Sequence, residues 1–122
     1  MQVYESEEMY LETILLLQQR RSYVRAIDIA EELGYSRPSV SNAVHLLEKK
    51  GYIDINGNEI CLTKEGRAKA EIVYERHQVI TELFVLMGAS KVVAEENACR
   101  VEHVITDDMF RLIKTFVEKQ SK

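Results

Sequence analysis

The stretch Ile27-Asp28-Ile29-Ala30-Glu31-Glu32-Leu33-Gly34-Tyr35-Ser36-Arg37-Pro38-Ser39-Val40-Ser41-Asn42-Ala43-Val44 decides how this chain is read. Ile27, Ala30 and Leu33 recur at helical spacing, so a short helix over Arg25 to Leu33 is expected to turn them inward, and Gly34 stops it. Ser36 then caps a second helix, with Pro38 in the first turn, where a missing N–H costs nothing. That helix carries Val40, Val44 and Leu47 on one face and stops at Lys49-Lys50-Gly51. Beyond it, Tyr52 to Ile55 and Glu59 to Leu62 are β-prone runs around Asn56-Gly57-Asn58, a hairpin signal. Two short helices around a tight turn, the second followed by a hairpin, is the order of a winged helix-turn-helix.

Outward from this segment the chain is mainly α. Glu5 to Arg20 reads as a first helix, with Tyr10, Leu11, Ile14, Leu15 and Leu17 inward and Ser6, Glu7 and Glu8 supplying a cap and negative charge at its start. Thr63 caps a long helix reaching to Leu86 and broken at Met87-Gly88. Ser90 starts another, expected to run to about Ile105, and Thr106-Asp107-Asp108 starts the last, which ends in polar Lys119 to Lys122. No Pro-, Gly- or Ser-rich linker intervenes. The expected organisation is a winged helix-turn-helix domain over residues 1–63, followed by a helical domain over 64–122.

At 122 residues, 46% hydrophobic and 30% charged, the chain suits one compact unit or two small ones, not a disordered tail or a large enzyme. No apolar run approaches the ~20 residues of a spanning helix, and Met1 to Glu8 has no secretion signal. Two cysteines make no disulfide scaffold, so a cytoplasmic protein without a membrane partner is expected. The net charge of −4 argues against nucleic acid, and residues 1–63 hold 6 basic against 10 acidic side chains. Four of those acids, however, sit on the first helix (Glu5, Glu7, Glu8, Glu12), whereas Ser36 to Lys50 carries three basic residues and one acid. Hydroxyls, an amide and a guanidinium at a helix N-terminus suit phosphates and base edges. The candidate DNA-facing set is Ser36, Arg37, Pro38, Ser39, Ser41, Asn42, Lys49 and Lys50. A plainer reading makes Ser36 and Ser39 helix caps only, and winged helices also bind proteins.

A second constellation lies downstream. Glu95, Cys99, Glu102 and His103 stand at i, i+4, i+7 and i+8 of one expected helix, on one face beside the apolar stripe of Ala94, Ala98, Val101 and Ile105. Carboxylate, thiolate and imidazole within two turns can converge on a divalent cation. Met9 and Glu12 add a thioether and a carboxylate, and His77 an imidazole. Taken singly, each has a structural explanation: Met9 as core filler, Cys99 as an inert thiol, Glu102 and His77 as surface polar residues.

Over nearly its whole length the chain resembles the diphtheria-toxin-repressor family of metal-dependent regulators, which includes iron-dependent repressors and manganese transport regulators. The resemblance is carried by Glu8-Met9-Tyr10-Leu11-Glu12-Thr13-Ile14, by Arg76-His77, and by Glu96-Asn97-Ala98-Cys99-Arg100-Val101-Glu102-His103-Val104 with Thr106-Asp107-Asp108 after it. It implies a homodimeric repressor of metal-uptake genes that binds a double-stranded DNA operator, with the helical second domain supplying dimerisation and metal binding and no small organic substrate. It places Met9, Cys99, Glu102 and His103 at the primary site of iron-type members, and His77 at a neighbouring site. Glu12 matches a manganese-type ligand, Glu95 stands at an ancillary position, and Thr81 replaces an ancillary carboxylate. The short length is that of the manganese group.

Softness at Met9 and Cys99 favours Fe²⁺, with Mn²⁺ next, and Zn²⁺, Co²⁺ or Ni²⁺ as binders in vitro. The alternative is a metal-independent winged-helix regulator sensing redox state through Cys99. An enzyme using Cys99 with His103 as nucleophile and base lacks an oxyanion loop and a third residue, so no catalytic residue is expected.

Overall fold

The computed structural model describes residues 3–120, with side chains over 7–120. Among these the order is α1 (Val3–Arg20), α2 (Ala26–Leu33), α3 (Arg37–Lys49), β1 (Ile53–Asn56), β2 (Glu59–Leu62), α4 (Lys64–Leu86), α5 (Lys91–Val101) and α6 (Asp107–Gln120). The chain forms two compact units, one ending at Glu71 and one starting at Ile72, so α4 contributes to both. No helix among the described residues is long and apolar enough to cross a membrane.

In the first unit α1 starts at Val3, two residues before the expected start, so the backbone at Ser6 is already helical. The cap expected there concerns a side chain outside the described set. Tyr10, Leu11, Ile14, Leu15 and Leu17 are buried as expected. In α2 the inward residues are Ile29 and Ala30, whereas Ile27 and Leu33 are only half-buried. Arg25 is the N-cap, and its N–H donates to Asp28 Oδ2 at 2.8 Å. Gly34 adopts φ +71°, and its N–H returns to Ala30 O at 2.8 Å, which closes α2 at the cost of a conformation that L residues avoid. Ser36 caps α3 as expected, accepting from Ser39 N at 3.3 Å, and Val40, Val44 and Leu47 join the core.

β1 is shifted one residue from its expected position, and it pairs antiparallel with β2 from Ile53↔Leu62 to Asn56↔Glu59. Gly57, at φ +63°, supplies the positive φ in the two-residue turn between them. Thr63 Oγ1 accepts from Gly66 N at 3.1 Å and starts α4. A Cβ on Gly66 would lie 1.9 Å from Tyr52 O, so only glycine lets the first turn of α4 approach the hairpin base.

In the second unit Ile80, Ala98 and Phe110 form a core flanked by Val79, Phe84, Val101 and Ile105. The expected α5 is corrected here: it stops at Val101, with Glu102 as its C-cap, instead of continuing to Ile105. No Gly or Pro forces this stop. Instead the guanidinium of Arg76 takes the freed carbonyls, Nη1 donating to Ile105 O at 3.1 Å and Glu102 O at 3.4 Å, while Nη2 pairs with Asp107. Thr106 then starts α6, accepting from Met109 N at 3.3 Å through its hydroxyl. Of the polar tail expected beyond Lys119, residues 121–122 lie outside the described set.

Candidate metal centre and nucleic-acid interface

The Glu102 N–H still donates to Ala98 O at 2.9 Å, so the Glu102 side chain follows Ala98 toward the core of the second unit. Glu102 is 0% exposed, and burial of a carboxylate is costly unless its oxygens find partners. Its Oε2 lies 2.9 Å from His77 Nδ1, on α4. His103 Nε2 lies 3.3 Å from Oε1, and His103 is itself buried. Oε1 nevertheless has no hydrogen-bond donor among the described residues, because the His103 contact is off hydrogen-bond alignment. A buried carboxylate flanked by imidazoles on two sides, with one oxygen unsatisfied, is a donor set that fits a divalent transition metal. Glu102 is thus not the surface acid that its residue type alone allows.

Glu95 and Cys99 lie in the body of α5 and are exposed. α5 turns Ala94 and Ala98 into the core, and Cys99, one residue and about 100° further round, is left at the surface. Thr81, which replaces an ancillary carboxylate, has a buried hydroxyl without a hydrogen-bond partner among the described residues.

Met9 and Glu12 occupy one face of α1 in the first unit, Met9 half-buried and Glu12 8% exposed. Met9 Sδ is 3.8 Å from Tyr35 Oη, and the Tyr35 ring lies 6.2 Å from that of Tyr10. Tyr35 immediately precedes the cap of α3, so the α1 face bearing Met9 touches the turn that orients α3.

At the start of α3, Arg37, Pro38, Ser39 and Asn42 are exposed and Ser41 half-buried. Ser36 Oγ and Ser39 Oγ bond one another at 2.9 Å, so these two hydroxyls serve the cap. Lys49 is exposed at the opposite end, about 18 Å along the axis from Arg37 at the standard helical rise. Lys50 pairs with Glu7 at 2.8 Å. Beside the N-terminal half of α3 a cleft of about 460 Å³ is lined by Arg25, Arg37, Ser41 and His45 and by the turn residues Gly57 and Asn58. His45 Nδ1 lies 2.7 Å from Ser41 O. Sequence reasoning missed Arg25, His45 and Asn58 as members of this surface. Arg25, the N-cap of α2, and Asn58, in the hairpin turn, have no local spacing to α3, whereas His45 stands four residues after Ser41 on the same helix, a spacing that could have found it.

Comparison with known proteins follows the same two halves. Residues 2–59 match the family model for the iron-dependent repressor N-terminal DNA-binding domain, and residues 63–122 match that for the iron-dependent repressor metal-binding and dimerisation domain. The chain is 37% identical over 113 residues to the iron-dependent repressor IdeR of Mycobacterium leprae, covering 90% of this chain and 49% of that one. It is 30% identical over 111 residues to the transcriptional regulator MntR of Escherichia coli O6:H1, covering 90% of this chain and 72% of that one. In fold it is similar to a manganese-dependent transcriptional repressor solved with manganese, at TM-score 0.86 and 24% identity over 92% of this chain and 52% of that one. The chain therefore spans about half the length of the IdeR relative. None of these similarities supports the alternative of a Cys99 redox sensor.

Proposed function

The chain belongs to the iron-dependent repressor family, and from that membership we propose that it is a cytoplasmic, homodimeric transcriptional repressor, activated by a divalent transition metal and controlling metal-uptake genes. The observation that carries this reading is the buried Glu102 carboxylate between His77 and His103, in a chain whose first half is a winged helix-turn-helix. Residues 1–63 are assigned to DNA and 64–122 to metal and the partner copy. Fe²⁺ is the first candidate metal, on the softness of Met9 and Cys99, and Mn²⁺ the second, on Glu12. No catalytic role is assigned.

When bound, the metal supplies a Lewis-acid cross-link among nitrogen, oxygen and sulfur donors. Glu102, His77 and His103 are its proposed ligands from the second unit, joined by Met9, Glu12, Cys99 and Glu95. Met9 and Glu12 restrain α1, whose buried face of Leu11, Ile14 and Leu15 belongs to the core shared with α2 and α3. A restraint on α1 is thereby a restraint on α3. Arg37, Ser41 and Asn42 then meet the major groove, with Ser36, Pro38, Ser39, Lys49 and Lys50 in support. In a dimer the two α3 helices must reach successive grooves ~34 Å apart, so selecting one arrangement from many raises operator affinity. A metal at 100 times its Kd stabilises a state that alone binds it by up to ~2.7 kcal/mol, about a hundredfold.

The test is operator binding by anaerobic, metal-stripped protein titrated separately with Fe²⁺, Mn²⁺ and Zn²⁺. Activation by Fe²⁺ well below the concentration needed for Mn²⁺ is the expected outcome. Activation by Mn²⁺ first transfers selectivity to Glu12, and equal DNA binding with no metal refutes the proposal.

A further inference from the structure

The contacts of Glu7 go beyond the donor set and connect α1 to the far end of the reading helix. The Glu7 side chain is 11% exposed, and its two oxygens have different partners: Oε1 accepts from Lys50 Nζ at 2.8 Å and Oε2 from Lys69 Nζ at 2.9 Å. Lys50 is the C-cap of α3. Lys69 lies in the second turn of α4, donates to Tyr52 Oη at 3.3 Å and sits 4.7 Å from the centre of the Tyr52 ring. One carboxylate thus ties together α1, the end of α3, the residue before β1 and the start of α4.

An isolated exposed ion pair contributes little. This arrangement differs in that two ammonium groups converge on one mostly buried carboxylate, and one of them is also held by a hydroxyl and an aromatic face. The fully buried Leu11 and Ile14 seat α1 in the core without directional contacts. The Glu7 bridge is directional and sits where leverage is greatest. From Lys50 to Arg37 the helix runs about 20 Å, so a 10° rotation about the bridged end displaces the base-reading end by about 3 Å.

We propose that Glu7 is a positioning residue that transmits restraint of α1 to the reading helix through Lys50 and Lys69. This rests on the metal-activated reading above, because Met9 and Glu12 lie on the same helix two and five residues further on. Lys50 is thereby a structural cation as well as a phosphate candidate. The bridge joins residues 43 and 62 positions apart, which no local motif announces.

The experiment compares wild type with Glu7→Gln and Lys69→Met. Mn²⁺ affinity is measured without DNA, and operator affinity with and without saturating Mn²⁺. In both variants Mn²⁺ affinity and metal-free operator affinity stay within about twofold of wild type, while the metal-induced gain in operator affinity falls about three- to tenfold. An unchanged gain overturns the proposal. Operator binding that tightens equally with and without Mn²⁺ in Glu7→Gln also overturns it, since Glu7 then merely withholds Lys50 from phosphate. Weakened Mn²⁺ binding likewise removes the positioning role. Should Glu7→Gln melt below the assay temperature, Lys69→Met, which leaves the Lys50 pair in place, decides by the same criteria. A wild type that gains no operator affinity from any of the three metals refutes the functional reading itself, a result distinct from all of these.

Discussion

Replacing Arg76 by Met separates fold from metal site in one step. Arg76 is 8% exposed and lies 5.4 Å from the Phe110 ring, so Met keeps much of its apolar packing while removing every donor. Nη1 serves two carbonyls, Ile105 O at 3.1 Å and Glu102 O at 3.4 Å, and this shared interaction counts as about one charge-assisted bond, ~1.5–3 kcal/mol. The pair with Asp107 adds at most ~1 kcal/mol, since that carboxylate is 84% exposed and screened by solvent. A stability loss of about 1.5–4 kcal/mol in urea unfolding is expected. The same carbonyls hold the turn that presents Glu102 and His103, so Mn²⁺ or Fe²⁺ affinity, read by calorimetry under anaerobic conditions, falls about 10–100-fold. If stability falls by that amount while metal affinity stays within about twofold, Arg76 serves the fold only. A link between the turn held by Arg76 and the metal site would then be refuted.

Three further outcomes follow from named contacts. Arg37→Ala weakens operator binding and lowers the slope of log affinity against log salt by about one, as loss of a phosphate contact requires, while metal affinity in a DNA-free titration stays unchanged; a parallel loss of metal affinity would merge the two sites. Cys99→Ala, at an exposed position, changes the unfolding free energy by no more than ~0.5 kcal/mol and reduces the preference for Fe²⁺ over Mn²⁺ in DNA activation; unchanged preference removes Cys99 from the ligand set. Burial pushes the Asp28 carboxyl up, but the Arg25 N–H, the Arg25 guanidinium and Arg21 outweigh it and hold it below its ordinary value. A depressed folded-state pKa contributes stability above the unfolded value of ~3.9 that is lost as pH falls through the folded value, so urea midpoints of wild type decline below about pH 5. Asp28→Asn flattens that decline, and an equally steep curve assigns the acid lability elsewhere.

What was legible in the sequence is what short-range chemistry controls. Gly34, Ser36 and Pro38 mark the turn and the start of α3 because positive φ, a capping hydroxyl and a missing N–H are properties of single residues. Gly57 marks the hairpin for the same reason. The amphipathic faces of α1 and α3 follow from spacing alone, and so does the membership of Glu102 and His103 in a candidate ligand group. The tertiary structure decided the rest. α5 stops at Val101 because Arg76, 26 and 29 residues from its two acceptors, takes over carbonyls that another helical turn would otherwise satisfy. Glu102, one helical turn after buried Ala98, meets His77 of α4, a residue 25 positions away, while Cys99 and Glu95 are exposed. Lys50 looks like a phosphate contact in sequence, and its pairing with Glu7 appears only once α1 and α3 are packed together. Local signals specify φ, ψ and amphipathic faces residue by residue. Which buried polar group meets which partner depends on desolvation and on contacts between distant segments, and no window of sequence contains both.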